Sequence, residues 1–154
     1  MKQRTIFLAG LLVAALAQGS ALARVGHDGM VAGSGAAVFP ADASFAGVAL
    51  SSLQFGLGVL AEDSATSGTF HAAIFGMSAA GQLQQITIEG DVNDGLTAGA
   101  GSFGGTATVD LGPGGQQMAA VPFTVTVTGG NLQLVLGDVS LPAAALSVGA
   151  IAMD

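Results

Sequence analysis

The stretch VPFTVTVTGGNLQLVLG, Val121–Gly137, decides the fold. Val121, Phe123, Val125 and Val127 alternate with Thr124, Thr126 and Thr128. Beyond Gly129-Gly130, Leu132, Leu134 and Leu136 alternate with Gln133 and Val135. A period of two places every second side chain on one face, as in a strand with one side buried. Two glycines between such runs predict a two-residue hairpin, because primed turns need positive φ. The turn also sets the register: Thr128 faces Asn131, Val127 faces Leu132, Val125 faces Leu134 and Phe123 faces Leu136. A slip of one residue would turn the apolar set outward.

The same alternation extends in both directions. Upstream, SFGGTATVDLG is expected to pair with the hairpin, Leu111 opposite Val121 and Ala107 opposite Val125, with GPGGQQMAA as the connecting loop. Leu53, Phe55, Leu57 and Val59 mark another strand, and GTFHAAIFGM with LQQITIEG form a second hairpin across SAAGQ. Downstream of Pro142, AALSVGAIAM makes a last strand. About seven or eight strands at regular spacing predict an all-β fold: a single antiparallel sandwich over residues 45–154, with a small closed β-barrel as the alternative. Residues 24–44 show no clear period and are expected to be an irregular lead-in or an edge strand.

The beginning of the chain reads differently. Lys2 and Arg4 precede the apolar run TIFLAGLLVAALA, and Ala21 and Ala23 give an A-x-A pattern. This is the plan of a signal peptide, residues 1–23, expected to be helical and cleaved between Ala23 and Arg24. The run is shorter than the roughly 20 apolar residues of a spanning helix. Export to the bacterial periplasm, envelope or extracellular space is the expected localisation. Cleavage would leave Arg24 as the only basic residue against ten acidic ones, a net charge of −9. Such a surface repels phosphate backbones and anionic headgroups, which argues against nucleic-acid partners. The chain has no cysteine, so a disulfide framework is excluded.

Chemistry-bearing motifs are few. EGDVNDGLTAGAG, Glu89–Gly101, offers Asp91, Asn93 and Asp94 as oxygen ligands. An EF-hand loop starting at Asp91 fails at its fifth position, Gly95, and at its twelfth, Ser102. Asn-Asp-Gly is a turn signature, so these three residues are only weak candidates for a surface cation. His71 sits in mid-strand and His27 near the new N-terminus, too few ligands for a zinc site in a chain without cysteine. There is no G-x-S-x-G elbow, Glu62 and Asp63 are adjacent, and GSG at 33–35 lacks a following helix. No catalytic residue and no cofactor are expected, and no enzymatic activity. Without Trp or Tyr the chain lacks both sugar-binding platforms and the aromatic girdles of an outer-membrane barrel.

Thr106, Thr108, Thr124, Thr126 and Thr128 are expected on the outer face as a two-strand array. If flat, it would be a recognition surface for another sheet or an ordered solid. The expected function is therefore a structural or protein-interaction role, with self-association through sheet edges. Carriage of a small apolar ligand or lipid is the alternative, since 51% of residues are apolar and few are aromatic.

Overall fold

The computed structural model describes residues 29–63, 65–97 and 101–154. The expected signal peptide, its cleavage site and His27 lie outside the described residues. What is described is all-β and antiparallel. Its strands are β1 (Gly29–Val38), β2 (Ser44–Phe45), β3 (Val48–Glu62), β4 (Ala65–Ser78), β5 (Leu83–Thr97), β6 (Ser102–Asp110), β7 (Gln117–Thr128), β8 (Asn131–Leu136), β9 (Val139–Ser140) and β10 (Ala144–Met153). Among the described residues no helix is long and apolar enough to cross a membrane.

From β3 to β8 each strand pairs with the next in sequence, joined by short turns. β1 then pairs with β3 on one side and with β10 on the other, and β10 reaches β8, so the pairings run round a ring. Opposed walls face each other across one apolar core, to which every long strand contributes alternate residues. At its centre Phe70 is fully buried, stacked on Phe123 with centroids 5.7 Å apart and edge-on to Phe103 at 6.2 Å. Such pairs add about 0.5–1.5 kcal/mol each beyond area burial.

The decisive hairpin has the expected register: Thr128 with Asn131, Val127 with Leu132, Val125 with Leu134, Phe123 with Leu136. Gly129 and Gly130 take φ of 56° and 80°, the left-handed pair that a primed turn requires. The second expected hairpin is also present, β4 to β5, closed by a Ser78 N–H bond to the Gln82 carbonyl.

Three local expectations are corrected. First, Gly29–Val38 is neither a lead-in nor an edge, since it is paired along both sides. Its inward residues are Val31, Gly33, Gly35 and Ala37, so the alternation exists but two of its four positions carry no side chain. Those glycines are dictated by proximity: a Cβ on either would run into a β10 carbonyl oxygen, that of Ala150 or Val148.

Second, β6 pairs with β7 four residues away from the expected register, with Ala107 opposite Val121 and Phe103 opposite Val125. The cause is a tight turn at Asp110. Its Oδ1 accepts the Gly112 N–H at 2.9 Å, and Gly115 N–H bonds back to the Gly112 carbonyl. β7 therefore starts at Gln117, inside the expected loop, and bulges at Ala120, which has φ of 54°. Four is an even number, so the buried face is unchanged.

Third, Asn93–Gly95 is not the turn between strands but part of β5. The ladder to β6 shifts on both sides of Asp94, and Gly95 takes φ of 77°. A bulge uses the same Asn-Asp-Gly chemistry as a turn.

The ring is unevenly sealed. β10 meets β8 only at Ala144–Leu132 and Ala145–Asn131, with one further bond from Leu146 N–H to the Gly130 carbonyl. Beyond that, Ser147–Met153 is paired with β1 alone, and no described strand lies against its second edge.

Candidate functional site

An apolar recess lies at one mouth of the ring, where β2, the start of β7, the end of β8 and β9 converge. It has a volume of about 510 Å³ and is walled by Phe45, Leu111, Met118, Val121, Leu136 and Val139. Phe45 and Leu136 are buried and belong to the core. Leu111, Met118 and Val121 are half-buried, while Val139 stands 45% exposed at the rim. Ser44 is the only lining residue with a polar side chain. Small-molecule sites usually occupy about 300–1,000 Å³ and combine apolar walls with few polar groups.

Backbone strain converges on the same place. The described non-glycine residues with positive φ are Ala46, Asp63 and Ala120. Ala46 lines the recess, and Ala120 lies between Met118 and Val121, which also line it. A left-handed L-residue costs roughly 1–2 kcal/mol and persists where the surroundings impose it. Phe45, just before the one bend, and Val121, just after the other, both line the recess.

Next to this recess is a polar one of about 320 Å³, sharing Ala46 and Leu111 and adding Ser78, Gln82 and Gln84. Gln84 Nε2 donates to the Leu111 carbonyl at 2.9 Å, tying the floor between the two. Neither recess is lined by a charged side chain. No lysine or arginine follows Arg24 in the sequence, so no described residue supplies a permanent cation.

The residues singled out from the sequence lie elsewhere. His71 is exposed on the outer face of β4, opposite Gly56 and Glu89, in an open hollow of about 270 Å³ that also includes Gln54 and Thr87. Asp91, Asn93 and Asp94 are all exposed along β5, with Asp91 opposite Thr106 and Asp94 opposite Gly104. Among the described residues no three His, Asp or Glu side chains converge as metal ligands would.

The five threonines are exposed or half-buried, as expected of an outer face, but they do not form one facing array. The four-residue register difference sets Thr124 against Gly104, Thr126 against Ser102 and Thr106 against Pro122. Thr126 and Ser102 share a hydroxyl contact of 3.2 Å. Thr108 instead faces Glu89 on β5. The recess itself was not foreseen. Its walls come from four separate segments, two of which, around Met118 and Val139, show no alternation of their own.

No family model, no curated protein and no solved structure matches the chain.

Proposed function

We propose that the protein is an exported carrier of a small, neutral apolar molecule, held at the mouth of the ring. The observation that carries this reading is the uncharged recess of about 510 Å³, lined by Ala46 at φ of 50° and by Met118 and Val121 on either side of Ala120 at φ of 54°. Export rests on the composition of residues 1–23. The ligand class follows from charge. A fatty-acid anion would enter a protein whose formal charge is already −7, with no described cation to meet its carboxylate. An alcohol, ester or amide avoids that cost, and its single polar group suits the neutral Ser78–Gln84 recess alongside.

An interaction role, the other function expected from the sequence, has separate support in the edge of β10 beside which no described strand lies.

Native mass spectrometry of protein recovered from its own host, followed by calorimetric titration of dodecanol and dodecanoate, tests the carrier. The expected outcome is a co-purifying neutral mass, and binding of the alcohol at least tenfold tighter than the acid. Val139→Asp, at an exposed rim position, should abolish uptake and change stability by no more than about 0.5 kcal/mol. A bare protein mass together with no binding of either probe overturns the proposal.

A further inference from the structure

The second edge of β10 from Ser147 to Met153 is a row of backbone donors and acceptors with no described strand beside it. At its far end Met153 lies close to Gly101, where an added Cβ would come within 2.7 Å of Met153 Sδ. The segment SVGAIAM has no charge and no proline, two of the devices that usually blunt an edge, although the ladder to β1 shifts at Ser147 and Gly149 takes φ of 96°. Val148 is 70% exposed and Met153 48%. The outward face behind this edge is equally free of charge, with Ala32, Ser34 and Ala36 of β1 beside Ala152, Ala150 and Val148 of β10.

We infer that this edge pairs antiparallel with the same edge of a second copy, making a two-fold dimer through β10. A copy of the chain satisfies three conditions at once. An open edge of about seven residues, at about 3.3 Å each, requires an extended strand of similar length, and β10 is one. A pairing centred on Ala150 sets Val148 against Ala152 of the other copy, small residues against larger ones, with no unpaired bulk. It also sends the two Asp154 residues to opposite ends of the seam.

Charge disfavours contacts through β3 to β6. The carboxylates of Glu62, Asp63, Glu89, Asp91, Asp94 and Asp110 are exposed on β3 to β6 or their turns. Two such chains repel across an approach through β3 to β6, whereas the β1–β10 face brings no carboxylate against another. The β7–β8 face is also uncharged, but both of these strands are paired on either side. An isologous contact of this kind closes after two copies and leaves no edge for a third.

Sedimentation equilibrium over two decades of concentration tests the dimer, using full-length protein expressed for export. The expected result is twice the monomer mass at the upper end, dissociating with dilution. Ala150→Lys places like charges face to face on the two-fold and should weaken association by more than tenfold. Leu83→Lys, which also introduces a lysine but at an 86% exposed position at the start of β5, should leave the dimer intact. A monomer at every concentration, or a dimer indifferent to Ala150→Lys, overturns the inference. Amide exchange on the unsubstituted protein gives a reading that needs no variant. Protection within 147–153 that grows with concentration supports the seam, and protection independent of concentration refutes it. Neither result depends on whether the recess binds a ligand.

Discussion

Gly90→Ala is the sharpest probe of how the core is packed. Gly90 faces inward on β5, and a Cβ there would lie 2.7 Å from Cε1 and 2.8 Å from Cζ of Phe123. In open surroundings a strand glycine replaced by alanine stabilises by about 0.4–1 kcal/mol, because the unfolded chain loses freedom. Here the sign should reverse. The Phe123 ring is 3% exposed and is stacked on Phe70, which is fully buried, so it has no free space into which to retreat. Overpacking of this kind costs about 1–3 kcal/mol, or about 2–4 °C in Tm per kcal/mol for a chain of this length.

The assay is urea unfolding followed by far-ultraviolet circular dichroism, since a chain without Trp or Tyr gives little intrinsic fluorescence. The midpoint should fall with no change in slope. Phe123→Leu shortens the side chain and removes the obstructing ring atoms, at a cost of its own. In that background Gly90→Ala should be neutral or stabilising, giving a coupling of about 1–3 kcal/mol in the double-mutant cycle. Additive effects, or a Gly90→Ala variant more stable than the parent, would refute the reasoning.

Two further substitutions test the turns. Asp110→Ala removes the Oδ1 acceptor of the Gly112 N–H and should cost about 1 kcal/mol by the same unfolding assay, with faster amide exchange at Gly112. Gly130→Ala forces a side chain to φ of 80° and should cost about 1–2 kcal/mol, whereas Asn at that position should cost less, because asparagine tolerates the left-handed region.

Local pattern carried the fold and then failed in identifiable places. The Val121–Gly137 hairpin was legible to the residue because both signals, alternation and a positive-φ turn, sit within one short stretch. β1 was invisible because an alternation written with Gly33 and Gly35 has no hydrophobic signal, and the reason for those glycines is the approach of β10, distant in sequence. The β6–β7 register is not decided by pattern, because the two apolar runs fit one another at either of two even offsets. The choice between them was made by one carboxylate, Asp110, bending the chain early. The threonines kept their face but lost their partners for the same reason. The recess was the least legible feature, since Phe45, Leu111, Met118 and Val139 meet only when the ring is complete.

The ladder between β1 and β10 sets the order in which the molecule can be made. From β3 to β8 every pairing joins neighbours in sequence and can grow outward from its own turn. The ladder that matches Val31 with Met153 and Val38 with Ala145 has no turn to grow from, and spans nearly the whole described chain. Loop-closure entropy rises by only about 0.6 kcal/mol for each doubling of length, so this ladder is affordable at equilibrium. Kinetically it raises the contact order, and proteins dominated by such distant pairings fold in milliseconds to seconds. Until Ala144–Met153 has been synthesised, β1 can hold only β3, and Val31 and Ala37 have one wall of their core instead of two. A ribosome-bound chain lacking that last strand should therefore remain protease-sensitive along β1 while the β7–β8 hairpin is already protected.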